Sequence, residues 1–362
     1  MFRTSAHQID KDSRPGRGAA SNAPGRYERR ERQAEHDGWE IAEDMPKIRT
    51  EVTEEMPRSV ITHVGSPDLP FDRTLNPYRG CEHGCIYCFA RPTHAYLGMS
   101  AGLDFETRLV ARPDAPAVLE QELARRIYRV APLAIGTNTD PYQPIERDYR
   151  IMRGCLEVLE AHRHPVMITT KGTGILRDLD ILRRMAKLGL VKVGISITTL
   201  DADIARRLEP RVPRPEKRIE IMRSLSRAGV PVRVMVSPVV PGLTEAEIES
   251  ILTAARDAGA VSASWIMLRL PQEVSPLFQD WLREHYPARA ERVMARLREM
   301  HGGRDYDGEW FRRMRGSGPY AQMIGQRFRL AAKRLGLDRP QPELRCDLFR
   351  VPVKPGEQLS LF

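Results

Sequence analysis

No apolar run in this 362-residue chain is long enough to cross a bilayer. The amino terminus, Met1-Phe2-Arg3-Thr4-Ser5, lacks the apolar core of a secretory signal, which argues against export. Cysteine is scarce: five in all, three of them within residues 81–88. That distribution is no disulfide framework and suits a reducing cytoplasm. What remains is a chain with 41% hydrophobic residues and a mean hydropathy of -0.44, enough for one large core or two domains. Its net charge is +9, and residues 281–354 hold 17 Lys and Arg against 9 Asp and Glu. A localised basic excess suits a polyanion such as nucleic acid, although solvated helix faces give the same count.

Residues 1–46 are rich in Arg, Glu, Gly, Ser and Ala without apolar periodicity, and are read as a disordered, mixed-charge tail, with a linker to residue 60. From about residue 73, short apolar runs alternate with helical patterns. A first short strand is expected at about 74–79. Others are expected at Leu133–Thr137, Val166–Thr170, Val191–Ile197, Pro231–Val236 and Ser264–Leu268. Between them Leu119, Leu123 and Ile127 repeat at four-residue steps, and Leu182, Met185 and Leu188 at three. Ile248, Ile251 and Ala255 fill another helix face. Thr244 with Glu247 reads as a capping box. Six βα units over residues 73–272 predict an α/β fold with parallel strands, best suited to an open or partial barrel, a doubly wound sheet being the alternative. Residues 273–337 read as a basic helical extension, broken at Gly302-Gly303 and Gly316–Pro319. Residues 338–362, with four prolines, read as extended.

The chemistry centres on Cys81, Cys85 and Cys88, spaced C-x3-C-x2-C with no fourth cysteine nearby. Thiolates at this density bind soft metal, and a cubic iron–sulfur cluster normally takes four. Three leave one iron open, as a catalytic metal site does. A zinc site would want a fourth ligand. His83 and His94 are available, but structural zinc usually joins two cysteine knuckles far apart.

The triad, with Tyr87 before its last cysteine and a partial barrel behind it, resembles the radical S-adenosylmethionine (SAM) superfamily. Within it, Asn76-Pro77-Tyr78-Arg79-Gly80-Cys81 and Thr139-Asp140-Pro141-Tyr142-Gln143-Pro144 resemble the branch that contains spore photoproduct lyase. The likeness covers residues 73–270 or so. It implies a [4Fe-4S] cluster on Cys81, Cys85 and Cys88, with SAM on the open iron. It also implies reductive cleavage to a 5′-deoxyadenosyl radical, and an electron donor such as flavodoxin or ferredoxin. Active sites of such barrels lie at the carboxyl ends of strands. Thr139, Lys171 and Ser196 match positions that contact SAM in the family. With Tyr87 and Asp140 they form the candidate cofactor-binding set. Lys171 is suited to pair with the SAM carboxylate. Glu209-Pro210-Arg211 also recurs in this branch.

One departure matters. Photoproduct lyases carry a hydrogen-donating cysteine where this chain has Thr137. Cys155 falls within an apolar helical pattern and reads as buried. Cys346, beside basic residues that would lower a thiol pKa, is the candidate donor. The chain ends Gln358-Leu359-Ser360-Leu361-Phe362, which resembles the bacterial sliding-clamp-binding pentapeptide. Leu361 and Phe362 would fill an apolar pocket while an extended tail provides reach. Trp310, Phe311, Arg312, Arg313 and Arg315 are candidates for touching or stacking on nucleic acid, or else helix core. The resulting expectation is a cytoplasmic radical SAM enzyme acting on DNA in base-lesion repair and recruited by the clamp. The alternatives are an RNA-modifying radical SAM enzyme and a metal-stabilised nucleic-acid-binding module without turnover.

Overall fold

The computed structural model describes residues 9, 12, 14–28 and 48–352. Its strands are β1 (Glu51–Glu54), β2 (Ile61–His63), β3 (Arg73–Leu75), β4 (Tyr78–Arg79), β5 (Arg108–Ala111), β6 (Leu133–Ile135), β7 (Val166–Thr170), β8 (Val191–Ser196), β9 (Val232–Val239) and β10 (Ser262–Met267). The helices are α1 (Asp104–Thr107), α2 (Ala115–Leu123), α3 (Glu146–Tyr149), α4 (Ile151–Ala161), α5 (Leu179–Lys187), α6 (Ala202–Leu208), α7 (Pro215–Arg227), α8 (Ile248–Asp257), α9 (Val274–His285), α10 (Pro287–Met300) and α11 (Gly318–Arg334).

Among the described residues the main sheet runs β10-β9-β8-β7-β6-β3-β2. The pairs from β3 to β10 are parallel, and β2 joins β3 antiparallel at the edge. Six parallel strands in chain order, each followed by helix, are the six expected βα units of a partial barrel. Helices cover the outside with faces spaced at three and four residues: Ile151, Cys155 and Leu159 on α4, Ile221, Met222 and Leu225 on α7, Ile251 and Ala255 on α8. These residues are fully buried in one continuous core. Each large aliphatic side chain there contributes about 1.5–3 kcal/mol. Cys155 is among them, as expected.

The carboxyl-terminal extension is helical, with α11 packed on α8 and β10. Residues 301–317, between the two glycine breaks, form turns, so Trp310 and Phe311 stand in solvent at 54% and 66% exposure. Among the described residues no helix is long and apolar enough to cross a membrane.

Several local expectations need correction. Helix α2 stops at Leu123, and Ile127 is 81% exposed. The capping box at Thr244 does not form. Its hydroxyl accepts from Val240 N at 2.9 Å, and Glu247 instead bonds the Thr199 hydroxyl and Leu200 N. A tertiary carboxylate acceptor was better used where the chain leaves β8. Composition assigns residues 14–28 to a disordered tail. In the structure they pack on residues 84–106, because Glu106 accepts from the Gly18 and Ala19 N–H groups, both at 2.9 Å. β1, within the expected linker, pairs in parallel with β5.

Candidate active site

The three cysteines follow β3 and β4, at the carboxyl end of the parallel sheet. Gly80 (φ 77°) and Gly84 (φ 65°) turn the loop in the left-handed region. Neither tolerates a side chain. A Cβ at Gly80 would lie 2.8 Å from Leu109 Cδ2, and one at Gly84 2.6 Å from Glu106 Oε2. Arg91, fully buried, then ties the loop down. It donates to the carbonyls of Gly84 (3.0 Å), Cys85 (2.9 Å), Ala101 (3.1 Å) and Gly102 (2.9 Å), and to Glu106 Oε1 (2.5 Å). Every donor direction of the guanidinium is used.

Cys81 and Cys85 are buried and Cys88 partly so, all as free thiols. Burial pushes the Cys85 thiol up to about 12, and the charge of Cys88 adds to the effect. Cys81 is likewise raised well above its ordinary value, by burial first and then by Asp140, Cys85 and Cys88. The three sulfurs are therefore near enough to feel one another. Among the described residues, however, no three His, Cys, Asp or Glu side chains close around a single ion. Three thiols within one eight-residue loop suit a cluster, whose thiolates sit on different irons. The histidines have other partners: His94 Nε2 lies 2.9 Å from the Arg108 carbonyl, and His83 Nδ1 3.4 Å from Asp140.

The Thr139–Pro144 run stitches this loop to the strand ends. The Thr139 hydroxyl donates to the Gly80 carbonyl (2.6 Å) and accepts from Gln143 Nε2 (3.0 Å), while Gln143 Oε1 accepts from Glu82 N (2.7 Å). Asp140 reaches the other way. It accepts from the Thr170 hydroxyl (2.6 Å), Lys171 N (2.8 Å) and Tyr142 N (2.9 Å). Burial alone would raise the Asp140 carboxyl. His83, the Thr170 hydroxyl and the Lys171 N–H outweigh it and bring the group to about 2. Gly172 lets this seam close, since a Cβ there would lie 2.4 Å from the Tyr142 carbonyl.

A second buried network lies under Tyr87. Its hydroxyl donates to Glu209, which also accepts from Thr198 (2.8 Å) and from the buried guanidinium of Arg218. Burial would raise the Glu209 carboxyl, but Arg218 and Lys171 hold it below its ordinary value. Ser196 donates to the Ser237 carbonyl at 2.8 Å. Arg211 pairs with Glu82 at 2.8 Å, so both charged residues of Glu209-Pro210-Arg211 brace the cysteine loop. Lys171 places its ammonium 5.8 Å from the Tyr87 ring centroid. Burial would lower its pKa, but Cys85, Glu209 and Asp140 raise it, so it stays charged. Among the described residues its ammonium makes no hydrogen bond or ion pair, while its backbone N–H is held by Asp140.

Tyr87, Thr139, Asp140, Lys171 and Ser196 thus gather around the cysteine loop. Cys346 does not. The neighbouring Arg345 N bonds the Gly189 carbonyl just before β8, and the Cys346 thiol feels Arg73 at the start of β3. Its thiol is raised, by burial and then by Asp347, not lowered by the basic neighbours. A hydrogen-atom donor must touch the substrate radical, and Cys346 lies at the amino-terminal end of the sheet, away from the mouth. Residues 358–362 lie outside the described residues. Gln143, Arg91, Glu106 and Arg218 complete the site without a signal of their own in the sequence. Gln143 lies within the Thr139–Pro144 run, whereas a buried arginine such as Arg218 on an otherwise polar helix carries no local signal.

Fold and site together define an α/β partial barrel presenting a three-cysteine loop at the carboxyl ends of its strands. The chain matches the Radical SAM superfamily over residues 75–255, and it belongs to that superfamily. It is an enzyme of the radical SAM type, whose cofactors are a [4Fe-4S] cluster and S-adenosylmethionine. An uncharacterised protein of Mycobacterium tuberculosis is 38% identical over 235 residues, 64% of this chain and 68% of the relative. One of Methanocaldococcus jannaschii is 26% identical over 174 residues, 48% of this chain and 62% of the relative. Spore photoproduct lyase complexed with dinucleoside spore photoproduct shares the fold, with a TM-score of 0.57 at 15% identity, covering 78% of this chain and 79% of that one.

Proposed function

We propose that this enzyme acts on a base lesion in DNA and is brought there by the sliding clamp through Gln358, Leu359, Ser360, Leu361 and Phe362. When bound, the cluster and SAM together supply a 5′-deoxyadenosyl radical that abstracts hydrogen from substrate. Cys81, Cys85 and Cys88 would hold the cluster. Lys171, a charged ammonium without a carboxylate of its own, would take the SAM carboxylate. Thr139 and Asp140 act one step back, holding the Gly80 carbonyl and the Lys171 backbone in place.

The observation that carries the substrate class is the rim of the barrel mouth. Phe89, next to Cys88, is 41% exposed and carries the Arg269 guanidinium 3.9 Å from its centroid. Arg269 lies within electrostatic reach of Cys88, Tyr306, Asp68 and Arg313. The loop bearing exposed Trp310 and Phe311 is fastened beside it, through Arg313 to Asp68 (2.6 Å) and Phe311 N to Asp68 (3.2 Å). Exposed rings interleaved with guanidinium groups stack unpaired bases and take phosphates. A base must leave the duplex to reach a buried radical.

The Thr137 hydroxyl bonds Asn76 at 3.3 Å, and Cys155 is fully buried in α4. Neither is placed as a thiol donor at the mouth, so the returned hydrogen comes from elsewhere than in a photoproduct lyase. The test is anaerobic reconstitution with iron and sulfide, then reduction with SAM in deuterated buffer, using damaged DNA, undamaged DNA and RNA. Formation of 5′-deoxyadenosine that rises with damaged DNA, with a changed base in the product, supports the reading. Formation unaffected by any DNA sinks it, and a response to RNA alone moves the substrate to RNA. Clamp capture that survives deletion of residues 358–362 removes the recruitment claim.

A further inference from the structure

The amino-terminal segment 14–28 is joined to the cysteine loop by a chain of buried hydrogen bonds. Glu106, fully buried, accepts from Gly18 N and Ala19 N on one side and from Arg91 on the other. Arg91 in turn holds the Gly84 and Cys85 carbonyls. The contact is also direct. A Cβ on Gly18 would lie 2.0 Å from the Gly84 carbonyl oxygen, so the segment's backbone rests on the peptide before Cys85. A second tie runs through Arg17, which donates to the Glu106 carbonyl and the Thr50 hydroxyl, both at 3.0 Å. Thr50 donates to Glu82, between Cys81 and Cys85, at 2.7 Å. The segment is pinned at both ends to one helix region: Arg14 to Glu284 at 3.0 Å in α9, and Arg26 to Glu273 at 3.2 Å just before it.

We propose that residues 14–28 are a seal on the cysteine loop, with Glu106 the positioning residue that couples them to Arg91, and that the seal slows loss of the bound cluster. The physical reason is local opening. An iron leaves a cluster, or a reagent reaches a cysteine, only when the loop lifts from its supports. Each buried hydrogen bond broken in that opening makes it rarer. The seal adds bonds to a charged acceptor, the kind that counts most. Its backbone also occupies the space above Gly84 that water or a chelator would enter.

Gly18→Ala tests this by adding one methyl group where no space exists, at a residue whose φ lies outside the left-handed region. Gly65→Ala is the control, since nothing lies within 4 Å of its Cβ position. A chain starting at residue 29 removes the whole segment. In the metal-free protein, maleimide labelling is read by mass spectrometry at Cys81 and Cys85. Partly buried Cys346, remote from the segment, serves as the internal reference and fully buried Cys155 as the reporter of global unfolding. In the reconstituted protein, transfer of iron to a coloured ferrous chelator is followed. Both rates should rise about tenfold or more in Gly18→Ala and in the truncated chain, with Cys155 still protected and Gly65→Ala unchanged. Wild-type rates in both variants overturn the proposal. So does labelling of Cys155 in step with Cys81, which would make the segment a general stabiliser.

Discussion

Replacing Asp140 by Asn tests whether one carboxylate holds the seam between β6 and β7. Asp140 accepts from Thr170, Lys171 N and Tyr142 N, and lies 3.4 Å from His83. A carboxyl held at about 2 against an ordinary 3.8 contributes about 2 kcal/mol to folding at neutral pH. Asn keeps one acceptor oxygen but turns an amide N–H₂ toward Lys171 N or Thr170. The stranded donor adds about 1–2 kcal/mol. The expected loss is about 3–4 kcal/mol at pH 7, measured by urea unfolding of the metal-free protein. The pH dependence has a definite sign. A depressed carboxyl stabilises fully above its unfolded value and ceases to do so as pH falls through its folded one. The gap between wild type and Asp140→Asn should therefore be flat from pH 7 to about pH 5 and narrow as pH falls toward 3. A gap under about 0.5 kcal/mol at pH 7, or one that stays constant down to pH 3, would refute the reasoning.

Lys171→Met should weaken SAM binding about tenfold or more by equilibrium dialysis while iron content stays at the wild-type level; unchanged affinity would remove Lys171 from the SAM site. Arg91→Lys offers three donors to five acceptors and should cost about 3 kcal/mol in urea unfolding and lower the iron retained after reconstitution. Arg269→Ala and Phe311→Ala should each weaken single-stranded DNA binding about tenfold. Only Arg269→Ala should lower the salt dependence, by about one released ion; equal slopes would mean Arg269 takes no phosphate.

The parallel strands were legible because their apolar runs are short, β-branched and bounded by glycine. Val166–Thr170 was found with both ends correct, whereas the run from Pro231 proved longer, reaching Val239. Helix ends were less legible. Ile127 continues the spacing of Leu119 and Leu123, yet the chain turns away after Leu123. Periodicity records which residues are apolar, not where the core stops. Residues 14–28 show the same limit in reverse. Their composition is that of a tail, and only a buried carboxylate 87–88 residues along the chain gives them a place, the kind of long-range hydrogen bond that composition cannot report.

By itself the sequence determined where soft metal binds, since three thiols at C-x3-C-x2-C are a local pattern whose donors all lie within one loop, and the family resemblance carried by the same run implied the cofactors. It also determined the order of strands and helices, since alternation is read along the chain. The tertiary structure decided what that pattern could not carry. It turned Thr139, Asp140 and Gln143 into the seam that positions Lys171 and the cysteine loop. It took Cys346 to the far end of the barrel. It set Phe89, Arg269 and Phe311 on one rim. Those assignments depend on which distant residues meet, and burial strengthens each hydrogen bond and charge at such a meeting well beyond its value in water.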